Sequence, residues 1–243
     1  MLDVEDLVTR YAVIDRSSPH LRVNFIASID GAATHDGVSG PLNNVLDKQV
    51  FTALRMLSDV VIVGAGTVRD EGYGSLRLPD HAVEWRVANG LPEHPVFAIV
   101  TSHVNLRPDA AMFSDAPVRP IVVTHTRAVD AAADPYRQQR LQAIQLSADL
   151  LLCGETAVDP RTMVDCLAER GLPQMLSEGG PHLLGAFIEA DVVDEMDLTI
   201  APVLEGGDAM RITTAHAQRT REMRLAHAMP AEDMVFLRYL RAR

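Results

Sequence analysis

The chain has 243 residues, 47% of them hydrophobic and 23% charged, a composition ordinary for one large α/β domain or two small ones. Its 22 Lys and Arg against 33 Asp and Glu leave a formal net charge of −11, which argues against a general nucleic-acid or anionic-membrane surface. Met1 is followed by no secretory leader pattern and no apolar run reaches the length of a membrane span, so a soluble, cytoplasmic protein is expected.

The first strand-like run, Val23–Ile29, ends in Ser28-Ile29-Asp30-Gly31, where Asp30 reads as a turn cap. Ser39-Gly40 follows. Val50, Ala53, Leu54 and Leu57 then form an apolar helical stripe on a segment that also carries Arg55. Val60–Val63 is a continuous β-branched run, as in a parallel strand covered on both faces. It ends in Gly64-Ala65-Gly66-Thr67-Val68. Gly64 and Gly66 permit close backbone approach and Thr67 offers a hydroxyl, although the pattern is neither the six-residue dinucleotide fingerprint nor a P-loop. On these residues alone, an anion cradle and a tight strand–helix turn are equally compatible. Gly72–Pro95 contains Gly72, Gly74, Pro79, Pro92 and the sole tryptophan, and is expected to be a functional or partner-facing loop.

Val96–Thr101, Pro120–Thr124 and Leu150–Cys153 continue the strand series. Asp159-Pro160 opens a helix striped by Met163, Cys166 and Leu167, which stops at Gly171. Gln174–Ser177 leads into a second glycine corner, Glu178-Gly179-Gly180-Pro181. Paired glycines adopt dihedrals closed to other residues. The helix beyond, striped by Leu183, Leu184, Phe187 and Ile188, presents free N–H groups over its first turn, Pro181-His182-Leu183-Leu184. A pyrophosphate fits there, and Glu178 adds a carboxylate where cofactor and substrate would meet. Two such corners point to a phosphorylated or dinucleotide ligand. The runs Leu198–Val203 and Met234–Leu240, with no helix between them, fit a terminal antiparallel hairpin. The alternation as a whole predicts a single doubly wound, mainly parallel α/β sheet with helices on both faces. Cys153 and Cys166 form no C-x-x-C pair, and His35, His103, His125 and His182 have no partner at metal-ligand spacing, so no metal site is expected. Arg219, Arg221 and Arg224 read as solvated.

Five stretches occur in order: Ala27-Ser28-Ile29-Asp30-Gly31, Val63–Val68, Ser177–Gly180, Asp194-Glu195 and Ile200-Ala201-Pro202. Together they resemble the reductase domain of the bacterial riboflavin-pathway deaminase/reductase and its stand-alone pyrimidine-reductase relatives. The resemblance runs from about Leu21 onward, so residues 1–20 are expected to be an extension and 21–243 the reductase domain. It implies a dihydrofolate-reductase-like fold, a homodimer, and NADPH-dependent reduction of 5-amino-6-(5-phosphoribosylamino)uracil to its ribitylamino product. The H-x-E and P-C-x-x-C pattern of a deaminase half does not occur.

By resemblance, Thr67 and Glu71 face the cofactor, Ser102 lies near its adenosine end, and Gly180 to Ala186 wrap its pyrophosphate. Ser39, Arg55 and Arg77 meet the substrate, with the arginines on its 5′-phosphate, and Glu178 hydrogen-bonds it. Glu178 and Asp30 are the candidates for the proton source. Asn24 stands where many relatives have lysine, and Glu71-Gly72-Tyr73-Gly74 replaces their Asp-Asp-Pro. Two alternatives remain open: a reductase of the same fold acting on dihydrofolate or another heterocycle, and a non-catalytic nucleotide-binding relative.

Overall fold

The computed structural model describes residues 2–130, 135–215 and 217–242. Among the described residues nine strands form one sheet: β1 (His20–Ser28), β2 (Val60–Gly64), β3 (Val96–Val100), β4 (Ile121–Thr124), β5 (Asp149–Leu152), β6 (Gln174–Ser177), β7 (Glu195–Ala201), β8 (Met223–Ala231) and β9 (Met234–Arg241). Their order is β5-β4-β3-β2-β6-β1-β7-β9-β8. The first seven in that order run parallel, and β9 and β8 are antiparallel. Every residue of β4 and β6 is buried, as is β2 up to its terminal Gly64, which is why β2 and β4 read as β-branched runs without alternation.

Helices cover both faces. On one side lie α1 (Val4–Tyr11), α2 (Val45–Leu57), the one-turn α3 (Ala65–Asp70), α4 (Asp80–Ala88), α5 (Ala111–Ser114) and α7 (Pro135–Ser147), over a core that includes Leu7, Leu54, Val61 and Ile99. On the other, α8 (Pro160–Glu169) and α9 (Pro181–Ala190) bury Met163 and Phe187 against Val60, Ile62 and Met175. A short α6 (Thr126–Asp130) follows β4.

Several expectations shift. β7 begins at Glu195, ahead of the apolar stretch Leu198–Val203, because its inward residues Glu195, Asp197 and Thr199 are polar yet buried. The expected antiparallel pair forms, β7 against β9 with Leu198 opposite Leu237, and β9 also pairs with β8, a strand absent from the expected series. Gly72–Pro95 is no open loop. It contains α4, whose fully buried Arg86 donates to Met56 O (2.8 Å), Ser58 O (2.6 Å) and Pro92 O (2.7 Å). That guanidinium satisfies carbonyls left over at the end of α2. Residues ahead of Leu21 join the main core: α1 is capped by Asp3 and buries Leu7 and Tyr11 against the sheet.

Candidate active site

The C-terminal ends of β1, β2, β3 and β6 share one edge of the sheet, where ligands of open α/β folds bind. A cleft of about 1210 Å³ lies there.

Its centre is the meeting of the two glycine corners. β2 and β6 are neighbours, so the turns that follow them touch. Gly64 N–H donates to Gly179 O at 2.8 Å, and Glu178 N–H to Ile62 O at 3.0 Å. A Cβ on Gly180 would lie 2.3 Å from Thr67 Oγ1, and one on Gly179 would lie 3.0 Å from the Phe25 ring. Gly179 also holds φ +91°, which side-chain-bearing residues avoid. Gly179 is therefore constrained by dihedral and by the approach of Phe25, and Gly180, at φ −89°, by the approach of Thr67 alone. Gly180 caps α9 and Pro181 occupies its first turn. Leu184 N–H closes onto Gly180 O at 3.0 Å, which leaves the His182 and Leu183 amides at the cleft wall as first-turn donors of a ten-residue helix.

A buried carboxylate stands beside these corners. Glu178 accepts from Arg55 Nε at 2.6 Å, Arg55 Nη2 at 2.7 Å and the Tyr73 hydroxyl at 3.0 Å. The Arg55 guanidinium lies 4.2 Å over the Phe51 ring, and Tyr73 stacks on Phe97. Burial works against the charge on Arg55, but the Glu178 carboxylate outweighs it and the net shift of the guanidinium is upward. Burial, followed by the Glu178 charge, holds the Tyr73 phenol well above its ordinary value, so it remains a donor.

A second buried carboxyl, not anticipated from sequence, also lines the cleft. Asp47 sits in the first turn of α2 behind its Asn44 cap and accepts from Thr199 Oγ1 at 2.6 Å. It is 4% exposed, and burial raises its pKa from the ordinary value despite the Thr199 bond, which lowers it. The one signal available in sequence was an acid placed next to the apolar stripe Leu46, Val50, Ala53, Leu54. Tyr73 gave no signal beyond its position in the departure from Asp-Asp-Pro.

The expected site residues divide. Ser39, Gly64, Gly66, Thr67, Glu71, Ser102, Glu178, Gly180, Pro181, His182 and Leu183 all line the cleft. Ser39 and Glu71 are joined, Ser39 N–H donating to Glu71 Oε1 at 2.8 Å. Leu184 instead points into the core under α9. Arg55 lies behind Glu178 rather than in the wall, because the carboxylate occupies its fork. Arg77 is outside the cleft, exposed and 3.4 Å from Asp115. Asp30 is also outside it. It accepts from the Ser28 hydroxyl and from the Glu205 and Gly206 amides, and these bonds hold its pKa down at about 2. That is the turn-capping role rather than a proton store. Among the described residues, Arg69 is the one guanidinium in the cleft wall, and it has no ion pair.

Residues 19–236 match the RibD C-terminal domain. The chain belongs to the RibD C-terminal domain family. Two similar proteins in that family are named 2,5-diamino-6-ribosylamino-4(3H)-pyrimidinone 5′-phosphate reductase. The one from Archaeoglobus fulgidus is 23% identical over 78% of this chain and 83% of its own length. The one from Aquifex aeolicus is 29% identical over 78% of this chain and 80% of its own. A pyrimidine reductase-like protein from Corynebacterium diphtheriae has the same fold along the full length of both chains, with 26% identity and a TM-score of 0.87. The riboflavin biosynthesis reductase Rib7 of Saccharomyces shares the fold at 17% identity and a TM-score of 0.68, covering 99% of this chain and all of its own.

Proposed function

We propose that the protein is an NADPH-dependent reductase of a phosphoribosylaminopyrimidine, taking the ribosylamino group to ribitylamino. The substrate is 5-amino-6-(5-phosphoribosylamino)uracil or its 2-amino counterpart, the ring named for the relatives. The observation that carries this reading is the contact between the two glycine corners. It places first-turn amides, a hydroxyl and a buried carboxylate around one cleft.

The residues present fit a nicotinamide dinucleotide. The Thr67 hydroxyl, packed against the bare Gly180 backbone, and the His182 and Leu183 amides line the cleft together and make a cradle for a pyrophosphate. Ser102 and His103 line the end of the cleft beyond β3 and suit the adenosine side with its extra phosphate. When bound, the reduced nicotinamide supplies the hydride that adds to C1′ of the opened sugar.

The chain's own residues do the rest. Arg55 and Tyr73 fix the Glu178 carboxylate so that it orients the substrate by hydrogen bonding. Arg69 takes the 5′-phosphate, since Arg55 is occupied and Arg77 is outside the cleft. Asp47, a buried carboxyl in the cleft wall whose pKa is shifted upward, delivers the proton that accompanies hydride addition. We propose also that two copies pair through the outward faces of β7 and β9, where Leu198, Ile200, Val235 and Leu237 are half-buried in the single chain.

The test is NADPH oxidation at 340 nm with each pyrimidine, and with dihydrofolate in parallel. Oxidation with a phosphoribosylaminopyrimidine, and a product two mass units heavier, is expected. Oxidation with dihydrofolate alone, or tight NADPH binding without turnover on any of them, would overturn the reading.

A further inference from the structure

A second cavity, of about 480 Å³, shares Phe187 of α9 with the cleft and no other lining residue among those described. Its volume falls within the range of about 300–1,000 Å³ seen for small-molecule sites. The floor is apolar: Val23, Leu184, Phe187, Ile188, Met196 and Ile212. The rim is cationic, with Arg219, Arg221 and Arg241 against Asp191 and Glu222. That excess of guanidinium stands out in a chain whose net charge is −11.

The three arginines are not equivalent. Arg221 and Arg241 both pair with Asp191, at 2.7 and 3.3 Å, and Arg241 also donates to Val193 O at 2.9 Å. Arg219 has no ion pair or hydrogen bond among the described residues, so one guanidinium is left over at the mouth. Inside the wall, Thr213 Oγ1 is buried without a hydrogen-bond partner. A buried hydroxyl left unpaired carries a desolvation cost that a ligand acceptor would relieve.

The wall is fixed rather than incidental. Thr214 N–H donates to Pro181 O at 3.1 Å, and the strap lies so close to α9 that a Cβ on Gly185 would be 2.1 Å from Thr214 O. The strap that carries Ile212 and Thr213 is thereby pinned over the apolar floor.

We propose that this cavity binds an amphipathic carboxylate, with its apolar body on Phe187, Ile188 and Met196, its head group on Arg219, and Thr213 donating to it. The site is separate from the reductase cleft, and the proposal stands whether or not the reductase assignment does.

Calorimetric titration of the full chain with decanoate tests it. One decanoate per chain is expected, with the same affinity in the presence of saturating NADPH. Arg219→Ala should weaken binding about tenfold, the value of one charge-assisted hydrogen bond. Ile188→Trp, which fills the floor, should abolish it while leaving NADPH affinity unchanged. 1-Decanol should bind about tenfold more weakly than decanoate. Competition with NADPH, equal affinity for decanol, absence of binding, or an unaltered affinity in Arg219→Ala would each overturn the proposal.

Discussion

Arg55 and Glu178 lie 123 residues apart in the chain and meet through two parallel hydrogen bonds of 2.6 and 2.7 Å. Their pairing joins α2 to the end of β6 directly beneath the cleft. Removing one partner of a buried ion pair leaves the other charge uncompensated, at a cost of about 3–5 kcal/mol. Arg55→Ala is therefore expected to destabilise the fold by that order, read from denaturant titration, and to lower kcat/KM as Glu178 loses its orientation. Arg55→Lys keeps the charge but not the fork, and should recover stability more than turnover. If Arg55 held the substrate phosphate directly, Arg55→Ala would raise KM with little change in stability.

Asp47 gives a pH signature. Burial raises its pKa, so it remains protonated to higher pH than an ordinary carboxylate. As proton donor it must carry its proton, so kcat should fall as pH rises through that raised value. Asp47→Asn should lower kcat by about 10²- to 10⁴-fold, the typical contribution of a positioned acid, and should remove that limb of the profile. NADPH affinity, measured by titration, should be unchanged. A variant with full turnover at every pH would remove Asp47 from the reaction.

At Gly180, an added Cβ would lie 2.3 Å from Thr67 Oγ1. Gly180→Ala should weaken NADPH binding, because the added methyl must displace the Thr67 hydroxyl from the corner. The same substitution combined with Thr67→Ala removes the clashing oxygen and should weaken binding less than Gly180→Ala alone. Calorimetry on the three variants checks the order.

A prediction for stability comes from the polar residues of β7. Glu195 is buried among Arg22, Arg238 and His20. Burial opposes its charge, but these partners together pull its pKa down to about 2. Asp197 is different: neither carboxyl oxygen finds a hydrogen-bond partner, and burial, followed by the Glu195 charge, pushes its pKa well above 3.8. In the unfolded chain Asp197 ionises above its ordinary value, so stability from this group is full below that value and is lost as pH rises. Asp197→Asn has no such loss. Its melting temperature relative to the parent should rise between pH 4 and pH 8, while a constant difference would contradict the assignment.

Much of this architecture is legible in the chain itself. The Val- and Ile-rich runs of β2, β3 and β4 declare themselves because both faces are covered. The glycine corners declare themselves because close approach excludes side chains. β8 does not, since Met223–Ala231 is mostly exposed, contains Pro230 and has no β-branched residue. Nor does α4, which is held by the buried Arg86 rather than by an apolar stripe. The cleft carboxyls were only half legible. Glu178 sits in a motif, but its neutralisation by Arg55 and the burial of Asp47 against Thr199 depend on contacts across 123 and 152 residues. No local pattern records such distances, so the phosphate role that the resemblance implies for Arg55 met no competing signal in the sequence.

The contact between the corners at Gly64–Thr67 and Gly179–Gly180 is the feature on which the functional reading depends. A crystal structure of the protein with NADPH tests it most directly. The account expects the pyrophosphate at the His182 and Leu183 amides, between Thr67 and Gly180, with the nicotinamide toward Glu178 and Asp47. A dinucleotide bound away from those corners, or no binding at saturating NADPH, would contradict it.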